Sequence, residues 1–371
     1  MDGTHSGAIY KFKGDENIDL DSPYSRKDEF IITTAFTPLM IHLNNEPFWI
    51  SDHPNSAKHT RPLIIEFGKE NFQRTNNIKT KIENDISMIS SEFQIGDMLC
   101  RLEIDYKFTM LDGQAVNHVN GTKGTRNCYI CGQSGQSFLD NMKPTNISSE
   151  KFKFGLKPLH SMLRIVDKLL KIAYNNSIFK FKAREVPKSV FNWMNEQNKL
   201  IIQTTKQNIH IKFYNILKLD VDRPRPGFGS TNDGNMAKKI FENFSIRANI
   251  LGINEHLIKE LHLLFRLCYS KDLVDSNNFQ SQCDMVHKLW RTYLPEETIT
   301  PSLHLLLCHG NEILPFVQFR PGLYAEEGLE SLHKDVRRYR LNNAVKINRK
   351  ANLEQTFSKL YIRSSVLINE H

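Results

Sequence analysis

Hydrophobic and polar positions change their spacing about a third of the way along the chain. In the first part, residues 30–43 and 62–67 are dense in β-branched and aromatic side chains, which is typical of strands. Residues 100–110 alternate apolar with polar side chains and predict a half-buried strand. Isoleucines at helical spacing over residues 72–91 predict one helix in this otherwise β-rich part.

The remainder of the chain has mainly helical spacing. An apolar stripe over residues 159–173 follows Pro158 and predicts a long helix. Further helices are predicted near residues 237–244 and from Asn254, a good N-cap residue, to Cys268. Loops are predicted at residues 121–153 and 222–234, which are rich in Gly, Ser, Asn, Thr or Pro. Strands first and helices later predict an α+β fold, or a β core with a helical insertion.

Composition narrows the class of protein. The chain has 371 residues, 40% of them hydrophobic, so it can build a core and is not generally disordered. Because no apolar run approaches the ~18–20 residues that cross a bilayer, and the first residues are polar, we expect an intracellular protein without a membrane partner. The net charge of +8 favours binding to polyanions but does not by itself assign a partner.

Six cysteines are too sparse for a disulfide scaffold, and one pair has the spacing of a metal site. Cys128 and Cys131 form a Cys-x-x-Cys motif, which supplies half of a four-ligand zinc site. His304 and His309 are the best candidates for the other two ligands, with Cys308 between them as an alternative. A surface cysteine pair with unrelated core histidines explains the same spacing, so both interpretations stay open here.

The helix predicted over residues 324–340 has a charged face opposite an apolar stripe. That face carries four charged residues at i, i+4, i+7 and i+8, namely Glu330, Lys334, Arg337 and Arg338. Taken alone, the pattern favours a solvated face with ion pairs. The alternative is a metal-binding carboxylate beside cations that hold a phosphate backbone.

Two further acids, Asp2 and Asp112, are each followed by glycine. In isolation an Asp-Gly pair is ordinary turn chemistry, so spacing gives neither residue a function. Asp112 is expected at the exit of the strand predicted over residues 100–110.

Taken in order, these blocks resemble the catalytic region of Transib-type DNA transposases and of their relative, the catalytic subunit of the V(D)J recombinase. The matching blocks are Asp2-Gly3-x-x-Ser6-Gly7 with Tyr10-Lys11, Thr109-Met110-Leu111-Asp112-Gly113, the cysteine pair, Phe154-Gly155-Leu156-x-x-Leu159-His160, residues 231–239, the histidine pair, and Glu330 with the basic residues that follow it. No single block is decisive, but their order and spacing over nearly the whole chain are specific.

The resemblance implies a ribonuclease-H-like core interrupted by a large helical zinc-binding insertion. The division it implies is residues 1–120 for the first part of the core, 121–310 for the insertion, 311–345 for the helix of the catalytic glutamate, and 346–371 for a C-terminal tail. It also implies that Cys128, Cys131, His304 and His309 bind structural zinc.

The implied activity is metal-dependent nicking and strand transfer of DNA. Asp2, Asp112 and Glu330 would hold two Mg²⁺ or Mn²⁺ ions, the hard cations that carboxylates prefer. The implied contacts with DNA phosphates come from Lys334, Arg337 and Arg338. The implied partner is DNA with ends like terminal inverted repeats, and the implied location is the nucleus.

In that family a strand precedes the first aspartate, whereas Asp2 is the second residue here. We therefore expect this chain to lack the opening strand and the module that recognises transposon ends, with a weakened homodimer. The alternative is a truncated or domesticated remnant that binds DNA without cutting it and is stabilised by zinc.

Overall fold

The fold is taken from a computed structural model of the chain. It describes residues 2–5, 30–44, 46–122, 124, 126–139, 147–178, 187–225 and 229–365. The residues Ser6, Gly7, Tyr10 and Lys11 of the first motif lie outside these ranges. Within the described ranges, every helix is too short or too polar to cross a bilayer.

The strands form one three-stranded sheet and three separate hairpins. The strands are β1 (Asp2–His5), β2 (Phe30–Phe36), β3 (Met40–Leu43), β4 (Glu46–Ile50), β5 (Arg61–Phe67), β6 (Glu92–Ile95), β7 (Met98–Arg101), β8 (Pro224–Arg225) and β9 (Gly229–Ser230). The sheet has the order β1-β2-β5 with both pairs antiparallel, and Asp2 lies opposite Thr33 in the register. The hairpins are β3-β4, β6-β7 and β8-β9.

The strand predicted over residues 30–43 is divided into β2 and β3. Pro38 lies between them, and proline has no amide hydrogen to donate to a ladder. The strand predicted over residues 62–67 is confirmed as β5. The strand predicted over residues 100–110 is wrong for most of its length, because β7 ends at Arg101 and, among the described residues, pairs with β6 alone.

Helices make up most of the rest of the described chain. They are α1 (Phe72–Ser87), α2 (Gly113–Val119), α3 (Pro158–Tyr174), α4 (Lys188–Leu217), α5 (Gly234–Phe241), α6 (Phe244–Leu251), α7 (Glu255–Cys268), α8 (Ser276–Tyr293), α9 (Pro301–Ile313), α10 (Glu327–Asn342) and α11 (Arg349–Arg363). The predicted α1 and α3 are confirmed, and Asn254 caps α7 through its side chain. The chain is thus a mixed α+β protein with small sheets, as predicted.

The main core is helical and lies around α3. Helices α5 and α9 pack on α3, while α7 and α9 both pack on α8. Trp290, Phe279 and Phe241 are the largest aromatic side chains that these helices bury. Burying each such side chain contributes ~1.5–3 kcal/mol, so this core fixes where α3 and α9 stand.

A second, smaller core joins the sheet to the last two helices. Ile31 of β2 packs with Leu329, Leu332 and Val336 of α10 and with Leu360 of α11. The apolar stripe predicted for the segment around Glu330 therefore faces the sheet. This packing brings the first turn of α10 close to β2, the neighbour of β1.

Candidate metal centre and neighbouring carboxylates

A tight turn presents the two motif cysteines to one side. The Cys128 amide donates to the carbonyl of Gln133, and the Gly132 amide donates to the carbonyl of Cys128, both at 2.8 Å. Gly132 has φ +73°, a conformation that costs glycine little and other residues more. The turn therefore needs glycine directly after the second cysteine.

Helix α9 carries the two histidines. Thr300 caps its N-terminus and Pro301 is its first residue, a favoured start for a helix. His304 and His309 are buried, and their ring centroids lie 5.3 Å apart. Phe138 stacks on the His304 ring with centroids 4.2 Å apart, which limits the rotation of that ring.

The turn and α9 bring the four predicted ligands together. One ligand atom from each of Cys128, Cys131, His304 and His309 lies within 4.8 Å of the other three. The Sγ of Cys131 is 3.3 Å from the Nε2 of His304, close to the ~3.6 Å expected between sulfur and nitrogen ligands of a tetrahedral zinc ion. The group could hold a metal ion such as zinc. Cys308, the alternative ligand, is not part of it.

Unpaired ring nitrogens support the same assignment. The Nε2 of His309 is buried and makes no hydrogen bond, whereas its Nδ1 lies 3.0 Å from the Glu312 carboxylate. A buried nitrogen without a partner costs free energy, and a bound metal ion would offset that cost. The carboxylate on the other nitrogen orients the ring as in many zinc sites.

A hydrogen bond between their side chains links Cys128 and Cys131. The pKa of the Cys131 thiol lies far below its ordinary value, because the Cys128 thiol donates a hydrogen bond to it and the two histidines add to the effect. The pKa of Cys128 is raised by that same hydrogen bond and by burial. A metal ion that binds both sulfurs must therefore displace the proton that the raised pKa favours on Cys128.

Asp112 lies at the start of a helix rather than at the exit of a strand. Residues 102–108 have no strand partner in the described structure. The Asp112 side chain instead caps α2, and its Oδ1 accepts the Ala115 amide at 2.6 Å. The carboxylate is half-buried.

Glu330 lies in the first turn of α10 beside a histidine from α3. Its Oε1 is 3.5 Å from the Nε2 of His160, and its Oε2 is 4.0 Å from the Nδ1 of His333. Burial raises the pKa of Glu330, and the charge of His160 opposes that shift. The negative charges of Glu326 and Asp112 raise it further, so Asp112 and Glu330 belong to one electrostatic neighbourhood.

The third predicted carboxylate is described only through its backbone. Asp2 lies in β1, and its register partner is Thr33 of β2. Thr33 is two residues from Ile31, which packs on α10. The expectation that Asp2, Asp112 and Glu330 share metal ions stays a prediction. Strand β1 begins at Asp2 itself, and the expectation that a preceding strand is missing stays a prediction.

The predicted basic residues line the outer side of α10. Lys334 and Arg338 are exposed and Arg337 is half-buried. Arg338 pairs with Asp335 at 3.0 Å and lies over the Tyr339 ring. The positive charge of Lys334 lowers the pKa of Glu330, so the basic face of α10 adjoins the carboxylates of Glu330, Glu326 and Asp112.

Sequence patterns assigned no role to Lys157, Glu326 or Glu312. The Lys157 amine is buried, and its Nζ lies 3.5 Å from the carbonyl oxygen of Asp112. Burial lowers the pKa of Lys157 to about 8. Charged residues are rarely buried without partners, but a single sequence does not reveal which ones are buried.

No protein-family model matches the chain, and no curated protein is significantly similar to it.

Proposed function

We propose that this chain is the catalytic core of a DNA transposase or recombinase that nicks DNA and transfers strands in a metal-dependent reaction. In this proposal the β1-β2-β5 sheet and α10 belong to a ribonuclease-H-like core. The observation that carries the proposal is that the negative charge of Asp112, from a distant part of the chain, raises the pKa of Glu330. The helix that carries Glu330 also packs on β2, the strand that pairs with β1.

The acidic residues suit hard divalent cations. Asp2, Asp112 and Glu330 would bind Mg²⁺ or Mn²⁺ through carboxylate oxygens. When bound, two such ions activate the attacking oxygen and stabilise the leaving oxygen at phosphorus. Glu330 binds its ion as a carboxylate, so its raised pKa makes binding weaken as the pH falls.

The basic face of α10 would hold the substrate. Lys334 and Arg338 are exposed on the helix that carries Glu330, and Arg337 lies one residue before Arg338. Contacts of these cations with phosphates position DNA without reading its sequence. The partners proposed with this activity are DNA with ends like terminal inverted repeats and a second copy of the chain, in the nucleus.

Zinc would have a structural role. Two sulfur and two nitrogen ligands fill a tetrahedron and leave no open position for substrate, which is typical of structural zinc. The four ligands connect the turn at Cys128 and Cys131 to α9. The helical region from α3 to α9 would then be the zinc-binding insertion.

Nicking of supercoiled plasmid DNA with Mg²⁺ or Mn²⁺ tests the proposal. Glu330→Gln and Asp112→Asn should each abolish nicking while zinc content and folding persist. Glu354→Gln is the matched control, because Glu354 is an exposed acid of α11 that pairs only loosely with Lys350, at 3.8 Å. Nicking that survives both Glu330→Gln and Asp112→Asn would contradict the proposal.

A second candidate is a DNA-binding protein without cleavage activity, stabilised by zinc. It is favoured by the 2.6 Å hydrogen bond that ties the Asp112 carboxylate to the α2 amide of Ala115. This candidate predicts salt-dependent DNA binding that Asp112→Asn leaves unchanged. Strand transfer by the purified chain would exclude it.

A further inference from the structure

Glu326, a second carboxylate near Glu330, has no part in the chemistry described above. It immediately precedes α10, and its side chain is 1% exposed. Its backbone carbonyl accepts the amide of Glu330 at 3.1 Å. A buried carboxylate is stable only when its oxygens receive hydrogen bonds or face positive charge. Its partners therefore indicate what it does.

One oxygen of Glu326 caps a distant helix. Helix α3 begins at Pro158 after Lys157, which adopts a left-handed conformation and provides no side-chain cap. The Oε2 of Glu326 accepts the backbone amide of Leu159 at 3.1 Å. A carboxylate at a helix N-terminus satisfies a free amide and faces the positive end of the helix dipole. Glu326 thus ties the start of α3 to the start of α10.

The other oxygen of Glu326 holds a histidine against Glu330. The Oε1 of Glu326 lies 3.3 Å from the Nδ1 of His160. The Nε2 of the same ring lies 3.5 Å from the Oε1 of Glu330. The imidazole therefore bridges two carboxylates, and its orientation is set on the side of Glu326, which is the more deeply buried of the two.

We propose that Glu326 is a positioning residue that fixes the Glu330 carboxylate through the His160 ring. The inference rests on the proposed function, in which Glu330 binds a divalent ion. A ligand held by a fixed partner binds metal more tightly, and removing such a partner typically weakens metal affinity ~10–100-fold.

Two variants separate positioning from capping. Glu326→Gln keeps the size of the side chain and can still accept the Leu159 amide, but it loses the charge that faces His160. His160→Asn keeps a polar group near the position of Nδ1, which faces Glu326, and removes the Nε2 that reaches Glu330. The control is Glu297→Gln, which removes a different carboxylate contact to α3, the 2.6 Å pair with Lys168.

The measurements are Mn²⁺ affinity by electron paramagnetic resonance, thermal stability, and ¹⁵N spectra of histidine-labelled protein. We expect Glu326→Gln and His160→Asn to weaken Mn²⁺ binding about tenfold, while Glu297→Gln leaves it unchanged. We also expect Glu326→Gln to shift the His160 Nδ1–H signal, which is assigned by its loss in His160→Asn. In a variant that still folds, a loss of stability alone would change neither the Mn²⁺ affinity nor the His160 signal.

Glu330→Gln distinguishes failure of this proposal from failure of the proposed function. If Glu330→Gln weakens Mn²⁺ binding but Glu326→Gln changes neither that affinity nor the His160 signal, the positioning role is overturned. If Glu330→Gln leaves Mn²⁺ binding unchanged, the proposed function is overturned. The His160 signal then still decides whether Glu326 orients the ring.

Discussion

Cys131 and His304 are separated by 173 residues in the sequence, and their Sγ and Nε2 atoms lie 3.3 Å apart. The contact joins a turn in the middle of the chain to α9. It is one edge of a group of two sulfur and two nitrogen ligands. Because closing so long a loop is entropically costly, a metal ion that binds all four ligands would contribute directly to folding.

Removal of one zinc ligand should release the metal and destabilise the helical region. Cys131→Ser is expected to abolish stoichiometric zinc and to lower the melting temperature by at least ~5 °C, because bound metal contributes to the free energy of unfolding. Zinc content by mass spectrometry and thermal unfolding by circular dichroism give the two values.

The control for that variant is Cys100→Ser. Cys100 is a half-buried free cysteine of the β6-β7 hairpin and is not part of the metal-binding group. The Cys100→Ser protein should keep one zinc ion and a nearly unchanged melting temperature. Stoichiometric zinc retained in Cys131→Ser would refute the assignment of the ligands.

Zinc binding should release protons. Because the pKa of Cys128 is raised by its hydrogen bond with Cys131 and by burial, a metal ion that binds its sulfur must displace a proton. Binding should therefore release roughly one proton per zinc ion, and affinity should rise as the pH rises. Calorimetry in buffers of different ionisation enthalpy measures this number. Release of no protons would show that the pair does not bind the ion as two thiolates.

A methyl group at Gly310 should disturb α9. A Cβ built there would lie 2.5 Å from the Phe279 ring, which is fully buried, so the ring or the helix must shift. Gly310→Ala should cost ~1–3 kcal/mol of unfolding free energy and weaken zinc binding, because the adjacent residue is His309. Urea denaturation and a zinc competition assay provide the measurements.

Gly113→Ala is the matched control for stability. Gly113 is the first residue of α2, and a Cβ there meets nothing within 4 Å. The unfolding free energy of the Gly113→Ala protein should stay within about 1 kcal/mol of the wild-type value. Equal destabilisation by the two variants would show that the contact with Phe279 is not the cause.

The buried amine of Lys157 should destabilise the protein at neutral pH. Burial lowers its pKa from 10.5 to about 8. Below pH 8 the amine is charged in both the folded and the unfolded state, and the full cost of burying the charge is present. Between pH 8 and 10.5 the unfolded state binds more protons, so stability rises with pH and the cost disappears.

Lys157→Met should therefore be more stable than the wild type at pH 7, by about 1–3 kcal/mol. The difference should vanish near pH 10.5. Urea denaturation of both proteins at the two pH values measures it, and other titrating groups cancel in the comparison. A variant less stable than the wild type at pH 7 would show that the contacts of Lys157 outweigh its desolvation.

The sequence carried enough information for the α+β class and for the four residues that could hold a metal ion such as zinc. Apolar spacing located α3, and the side chain of Asn254 identified the start of α7. The zinc ligands followed from the resemblance, because spacing alone left a surface cysteine pair equally open. The division of the chain into core, insertion and tail stays a prediction.

Other features depended on long-range packing that local patterns do not encode. Residues 100–110 alternate like a strand, but a strand also needs a partner. In the described part of the chain β7 pairs with β6 alone and ends at Arg101. The contacts of Glu326 with Leu159 and His160 connect distant parts of the chain. Nothing near Glu326 in the sequence indicates that its carboxylate is buried.

The most direct test of the central claim is anomalous diffraction from crystals of the zinc-loaded chain grown with Mn²⁺. The account predicts manganese peaks about 2–2.4 Å from carboxylate oxygens of Asp2, Asp112 and Glu330, with a separate zinc peak at Cys131 and its three partners. Manganese bound elsewhere, with none shared by Asp112 and Glu330 at saturating concentration, would contradict the account.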